Sequence, residues 1–275
     1  MNKQTKQPKE LRIYLFKTLL TLSAVIACIP FLYMALMSLT QKDTLNLDFD
    51  IATFSSLNYI KVIKNFNILV NLRNSIIVTF SACILNGLIS SMAAYAFAKK
   101  HFPFRDKLFA IYLATLMIPG QVTMIPVFII MKNLGLMNTY IALILPIINA
   151  FGVFLIRQFM VSLPNDLLDA ARIDGCGENR IFFTIVIPLV QPVLVSLVIF
   201  TFISSWNDFL WPLIIASKPS MKTLTLAIAA LEGSYSTNYG LVMAGATFTF
   251  FPPFILYMFL QKQFVEGIAL SGIKG

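Results

Sequence analysis

The sequence predicts an all-α, polytopic membrane protein with six transmembrane helices. Of its 275 residues, 58% are hydrophobic and only 12% are charged, whereas a soluble domain averages about 25% charged residues. Six apolar runs have about the 20 residues that a helix needs to cross a hydrocarbon core roughly 30 Å thick. None of these runs contains Asp, Glu, Lys or Arg, and they cover 18–39, 74–98, 108–131, 139–156, 181–207 and 241–260.

The basic residues predict the orientation of the chain. Of the 21 Lys and Arg, 14 lie in the segments 1–17, 99–107, 157–180 and 262–275, and 7 lie in the alternate loops. The positive-inside rule therefore places both termini in the cytoplasm, in a multi-pass protein of the cell membrane. This pattern explains the net charge of +9, so no nucleic-acid partner is predicted. The first run follows basic residues as a signal sequence does, but its length favours a retained span.

The second span is expected to be a central helix of the bundle. It carries small residues at spacings of three and four, which allow close approach of helix backbones in lipid. These residues are Gly87, Ser90, Ser91, Ala93, Ala94, Ala96 and Ala98. The third span is interrupted by Pro119-Gly120 and Pro126. We expect a break there, because each proline frees a carbonyl that needs a partner in protein or at a wet cavity.

Four amides are candidates for a translocation path: Asn86, Gln121, Asn149 and Asn207. An amide inside the membrane is costly against lipid, so the first three should face the bundle interior. Packing between helices is favoured there over contact with a passing polar solute, and both interpretations remain open. Near Asn207, Trp206 and Trp211 are typical of an outer aromatic belt. Asp208 is interpreted as a solvated acid at the membrane boundary, and a substrate ligand is the alternative.

Residues 162–188 form a polar segment that is predicted to fold into an elbow of two short helices. The capping-type residue Ser162, followed by Pro164, Asn165 and Asp166, is a typical helix start. Asp169 and Arg172 are spaced to form an ion pair on the exposed side. Gly175 should end the first helix, because glycine accepts the left-handed conformation that closes it. A second short helix is expected over 178–187. The apolar positions Leu167, Leu168, Ala171 and Ile173 make the elbow amphipathic and parallel to the membrane.

The elbow resembles the EAA loop of ABC importer permeases. The run Asp169-Ala170-Ala171-x-x-Asp174-Gly175, followed by Ile187-Pro188-Leu189, matches the pattern of that loop, with Asp169 in place of the usual Glu. The resemblance implies a type I ABC importer permease fold and a coupling helix that docks on a separate ATPase subunit, with Ala171 on the docking face. The residues that it assigns to coupling are Leu168, Asp169, Ala170, Ala171, Ile173, Asp174, Gly175, Ile187, Pro188 and Leu189.

The carboxyl-terminal segment, residues 263–275, is predicted to be an extended, flexible tail, because glycines alternate there with apolar residues. A frayed end without function is the default for such a segment. However, it is similar to the tail of maltose-type carbohydrate importer permeases, in which the last residues reach between the ATPase subunits. The resemblance implies that Gly267, Ser271, Gly272, Lys274 and Gly275 contact the ATPase.

The sequence lacks the motifs that catalysis would need. There is no Gly-x-x-x-x-Gly-Lys-Ser/Thr loop to hold phosphates, so we expect this chain to bind no cofactor and to be no enzyme. His101 is the single histidine, and three scattered cysteines indicate neither a metal site nor disulfides. An ion-coupled carrier commonly keeps ionisable residues within the membrane, and an intramembrane enzyme would need clustered acid, base or metal groups. The uncharged spans disfavour both classes.

The resemblance implies a permease subunit of an ATP-driven, binding-protein-dependent importer of carbohydrate, with an oligosaccharide favoured. A polyol phosphate or another small polar solute is the alternative, and an ion-coupled carrier is a weaker one. The implied partners are a second permease, two ATPase subunits that bind ATP and Mg, an external solute-binding protein and membrane lipid. We divide the chain into a cytoplasmic segment (1–17), a first span with its outer loop (18–68), a permease core (69–262) containing the coupling loop (162–188), and a cytoplasmic tail (263–275).

Overall fold

The computed structural model describes residues 7–41, 54–234 and 238–272, and this part of the chain is helical without strands. The helices of its first half are α1 (Gln7–Ser38), α2 (Leu57–Asn65), α3 (Ile68–Lys99), α4 (Arg105–Ala114), α5 (Gly120–Asn133), α6 (Tyr140–Ile144) and α7 (Ala150–Val161). The second half contains α8 (Asp166–Ile173), α9 (Glu178–Ile181), α10 (Ile187–Leu189), α11 (Gln191–Trp206), α12 (Leu210–Ile215), α13 (Leu224–Ser234) and α14 (Tyr239–Gly272).

Residues 1–66 and 231–248 form one compact unit. In its described part, the side chain of Asn58 donates hydrogen bonds to the carbonyls of Ser38 (3.0 Å) and Thr40 (2.6 Å). Gly240 lies against the same turn, where an added Cβ would overlap the Thr40 carbonyl. Glycine is therefore required at position 240. α1 exposes apolar side chains along most of its length, which suits a helix that faces lipid or another protein.

Residues 67–230 and 249–275 form the second unit, in which α3 packs against both α7 and α11. Small residues make this packing close, as the sequence predicts. At Gly152 of α7, an added Cβ would overlap the Ser90 hydroxyl of α3 and lie 3.0 Å from Leu197 of α11. Asn86 of α3 is buried and donates to the Thr201 hydroxyl at 2.9 Å. The predicted central position of this helix within its unit is confirmed.

The prediction of six spans is confirmed by the described helices. α1, α3 and α14 are each long and apolar enough to cross a membrane, and three bent helix pairs supply the others. The pair α4 and α5 is bent by 102°, between Met117 and Gly120. The predicted break at Pro119-Gly120 therefore exists.

The runs 139–156 and 181–207 were expected to be continuous and are not. The first is bent by 44° between Ile147 and Ala150, and the second by 79° at Val190. Prolines explain both breaks. Pro146 lies in a 3-10 turn, Leu145–Ile147, after which Asn149 caps a new helix. Pro188 and Pro192 flank Val190, and neither can donate a backbone hydrogen bond.

The carboxyl-terminal segment also differs from expectation. α14 continues as a helix to Gly272, where an extended tail was predicted. The apolar run of the sixth span is followed by residues that favour helix, such as Gln and Lys, and the isolated Gly267 costs a helix only about 1 kcal/mol. Lys274 and Gly275 lie outside the described residues.

Candidate functional site

The first helix of the elbow ends at Gly175 as predicted, but Ser162 closes the preceding helix α7 and does not start this one. α8 starts after Asn165, but the amide oxygen of that residue caps no backbone N–H and accepts a hydrogen bond from Lys99 Nζ at 2.8 Å. Gly175 has a φ of +79°. Its N–H donates to the Arg172 carbonyl at 3.0 Å, and Cys176 N–H donates to the Ala171 carbonyl at 2.9 Å. This pair of bonds is a Schellman motif, which requires the left-handed conformation that glycine adopts freely.

The two sides of α8 have different neighbours. Leu168 and Ala171 are 3% and 7% exposed. They belong to a hydrophobic core that also contains residues of α7 and α9. Ala171, expected on the docking face, is instead turned inward, because residues three apart share one side of a helix. Leu167 and Ile173 are 48% and 87% exposed. With the exposed Ala170 and Asp174, they form the outward face of α8.

Charged side chains join the elbow to the end of α3. The carboxylate of Glu178 accepts hydrogen bonds from Tyr95 Oη at 2.8 Å and Arg172 Nε at 3.2 Å, and it forms an ion pair with Lys100. Arg172 also pairs with Asp169 at 2.6 Å, which confirms the predicted ion pair. Glu178 thus links the second helix of the elbow both to the first one and to α3.

The remaining elbow residues lead into the fifth span. A π turn, Phe182–Val186, connects α9 to α10, in which Pro188 and Leu189 are exposed and Ile187 is half-buried. A π turn inserts an extra residue into a helix and is often found at functional sites. The chain then bends at Val190 into α11.

A second feature of this unit is a cavity of about 360 Å³. Its lining brings together two of the predicted path residues, Gln121 and Asn149. The lining residues are Gly120, Gln121, Thr123, Met124, Val127, Pro146, Ile147, Asn149, Ser204, Ser205, Asp208, Leu210 and Trp211. Asn207 is not among them. Asn86 is buried and hydrogen-bonded to Thr201 and Ser90, as the packing interpretation expects for that amide.

The tryptophans and Asp208 differ from their expected roles. Trp206 and Trp211 are buried, and their indole N–H groups donate to the carbonyls of Thr249 (2.9 Å) and Ala142 (2.8 Å). They do not form an exposed aromatic belt. Asp208 is half-buried and accepts a hydrogen bond from Trp211 N–H at 3.3 Å. Burial raises the pKa of its carboxyl group, so it is not the freely solvated acid that was expected.

Comparison with known proteins identifies the family. The family model described as "Binding-protein-dependent transport system inner membrane component" matches residues 86–269. The chain belongs to this family. It is therefore a membrane-embedded transport permease, and its resemblance to ABC importer permeases is confirmed.

The permease is similar to curated relatives over most of its length. It is 39% identical over 259 residues to the arabinooligosaccharides transport system permease protein AraQ of Halalkalibacterium halodurans, covering 92% of this chain and 93% of that relative. It is 38% identical over 203 residues to the sn-glycerol-3-phosphate transport system permease protein UgpE of Yersinia pestis, covering 73% and 72%. A crystal structure of a bacterial alginate ABC importer contains a chain of the same fold. That match has a TM-score of 0.81 and 22% identity, and covers 95% of this permease and 99% of that chain.

The sequence did not reveal four residues that join the permease elbow to α3. Tyr95, Lys99, Lys100 and Glu178 meet across long sequence separations, for example 83 residues between Tyr95 and Glu178. The available signal was two lysines placed directly at the end of an apolar span. A lysine at that position more often lies in solvent or among lipid headgroups, so the pattern alone does not identify a partner.

Proposed function

We propose that this permease is one transmembrane subunit of an ATP-driven, binding-protein-dependent importer of carbohydrate, with an oligosaccharide favoured. The observation that carries the proposal is 39% identity, over 92% of the chain, to a relative named as an arabinooligosaccharide permease. A second permease, two ATPase subunits and an external solute-binding protein complete the importer. Both termini and the elbow face the cytoplasm, in keeping with the distribution of basic residues.

The outward face of α8 is the surface that meets the ATPase. Leu167, Ala170 and Ile173 give it an apolar centre, and Asp166 and Asp174 give it acidic ends. An apolar helix face with charged edges fits a hydrophobic groove with complementary basic residues. ATP and Mg bind on the ATPase subunits, whose closure displaces the elbow and alternates the access of the bundle. The tail residues Gly267, Ser271, Gly272, Lys274 and Gly275 are proposed as a further ATPase contact.

The cavity supports a neutral polar solute. Gln121, Asn149 and Ser204 offer hydrogen-bonding groups, while Met124 and Val127 offer apolar surface. Sugars are recognised by a few placed polar groups in such a setting, and a volume of 300–1,000 Å³ is typical of ligand pockets. Asn207 is an exposed residue beside the cavity and is retained as a path candidate.

A glycerol phosphate is the second candidate, because the relative UgpE is 38% identical over 203 residues. A phosphate group is best held by Arg or Lys. The described residues that line the cavity include neither, and they include the carboxyl group of Asp208. The cavity therefore favours the carbohydrate over the phosphate ester.

Uptake in whole cells tests the proposal. Cells that lack this permease and cells that carry it on a plasmid are given a radiolabelled arabino-oligosaccharide, a malto-oligosaccharide or glycerol 3-phosphate. Plasmid-dependent uptake of an oligosaccharide, abolished in a variant of the ATPase that cannot hydrolyse ATP, is the expected result. Plasmid-dependent uptake of glycerol 3-phosphate alone would reject the carbohydrate assignment and establish the second candidate.

A further inference from the structure

Side chains at the end of α3 hold the elbow at two points, before its first helix and at the start of its second helix. At the first point, Lys99 Nζ donates to the Leu163 carbonyl at 2.6 Å and to Asn165 Oδ1 at 2.8 Å. Leu163 and Asn165 immediately precede α8. The amide of Asn165, which commonly caps a helix, is here used to bind α3.

At the start of the second helix, Glu178 is held by Tyr95 and Lys100. Tyr95 Oη donates to the carboxylate at 2.8 Å, and Lys100 forms an ion pair with it. The Tyr95 ring also contacts Phe182 at a centroid distance of 5.6 Å, and Lys100 Nζ lies 5.2 Å from the Tyr95 ring centroid. We call Tyr95, Lys99, Lys100 and Glu178 the clamp.

α3 differs from the neighbouring spans because it has no break. It contains 32 residues in one helix and is therefore about 48 Å long. The third, fourth and fifth spans of the same unit are bent by 102°, 44° and 79°. A continuous helix is a rigid element that can carry a displacement along its axis, whereas a bent pair can absorb it at the joint.

The far end of α3 is also tied to another segment. Asn74 is fully buried, donates to the carbonyls of Ser220 (2.8 Å) and Lys222 (3.0 Å), and accepts from Tyr140 Oη at 2.7 Å. At the next residue, Ser75 Oγ accepts a hydrogen bond from Leu224 N–H at 2.8 Å. One unbroken helix thus binds the elbow at one end and residues 220–224 at the other.

We infer that the clamp makes α3 the element that carries movement of the elbow to the opposite end of the bundle. This inference rests on the proposed docking of the elbow on the ATPase. The clamp residues are positioning residues, because they act by fixing the elbow to α3. The Lys100–Glu178 pair is half-exposed, and such pairs contribute little to stability. Their loss should therefore change coupling more than folding.

The test uses the complete importer, purified and reconstituted in proteoliposomes with its solute-binding protein. The measured quantity is radiolabelled arabino-oligosaccharide transported per ATP hydrolysed. We expect Glu178→Gln and Lys99→Met each to lower this ratio by about 2- to 30-fold, the range found for residues that couple distant sites. Lys100→Met is measured as a third single variant. The double variant Glu178→Gln with Lys100→Met should fall no further than either of its two single variants, because the two side chains share one interaction.

The matched control is Asp106→Asn. It removes an exposed ion pair with Arg105 (3.0 Å) on the adjacent α4 and leaves the clamp intact, so its ratio should equal that of the wild type. Melting temperature and recovery of the ATPase on the purified permease should be the same in all variants.

Three results would overturn the inference: a wild-type ratio in both clamp variants, a melting temperature lowered further by Glu178→Gln than by Asp106→Asn, or loss of the ATPase from the clamp variants. Failure of the proposed function is distinguishable, because then the wild-type permease itself would not bring the ATPase through purification.

Discussion

Replacing Gly175 by Val tests whether the elbow must keep its angle. Gly175 has a φ of +79°, and its N–H and that of Cys176 close α8 with two hydrogen bonds of 3.0 and 2.9 Å. An added Cβ meets no atom within 4 Å. The cost of the substitution is therefore confined to the backbone conformation and these two bonds.

The expected magnitude follows from two limits. If valine keeps the left-handed conformation, the strain is about 1–2 kcal/mol. If the turn opens instead, two hydrogen bonds worth about 0.5–1.5 kcal/mol each are lost. The first limit shifts the equilibrium between the native angle and other angles of the elbow about 5- to 30-fold, and the second shifts it about 5- to 150-fold. The core residues around the elbow do not contact this position, so the membrane bundle should stay folded.

Gly177→Val is the matched control. Gly177 lies two residues away, has a φ of −69° that any residue adopts, and also has open space around an added Cβ. Gly175→Asn is a second control, because asparagine tolerates the left-handed conformation better than valine does.

The assay compares membrane expression, solute uptake and the stimulation of ATP hydrolysis by the loaded solute-binding protein. We expect normal expression in all three variants, with uptake and stimulation reduced in Gly175→Val and largely kept in the other two. Equal uptake by Gly175→Val and Gly177→Val would show that the left-handed turn does not matter for coupling.

Three further predictions concern packing, topology and the tail. Gly152→Ala should lower the melting temperature, because the new Cβ overlaps Ser90 and such overpacking destabilises a fold by about 1–3 kcal/mol. An unchanged melting temperature would contradict this close approach of the two helices. In a variant without native cysteines, a cysteine at Ser220 should react with an impermeant thiol reagent in intact cells and one at Asn179 should not; the reverse labelling would reject the proposed orientation. Deleting residues 271–275 should leave the ATPase bound but lower substrate-stimulated ATP hydrolysis, and normal hydrolysis would show that the tail has no role there.

The parts of the fold that depend on local chemistry were predictable from the sequence. Gly175 follows an amphipathic stretch, and glycine is the residue that ends a helix in the left-handed conformation; the structure places it there. Pro119 of the Pro119-Gly120 pair lacks a backbone N–H, and the pair lies at the sharpest of the three bends. Long uncharged runs identified all six spans, because burial of an unpaired charge in lipid is costly.

The features that depend on distant partners were not predictable. Trp206 and Trp211 have the composition of an interfacial belt, yet each indole finds a free carbonyl on another helix. The amphipathic pattern of α8 does not reveal which apolar residues face the chain itself, and Ala171 was therefore misplaced. Glu178 was assigned only a helical position, because its contacts with α3 arise from tertiary packing and not from local sequence.

The location of the cavity follows from the distribution of breaks among the helices. Its lining includes Gln121 at the α4–α5 break, Asn149 at the α6–α7 break and Asp208 between α11 and α12. A broken helix leaves backbone groups unpaired, and within a membrane these require protein partners or water. The breaks therefore create a polar cavity and also place the deformable joints around it. α3 has no break and does not line this cavity, so the helix that is suited to carry force is separate from the helices that are suited to change shape.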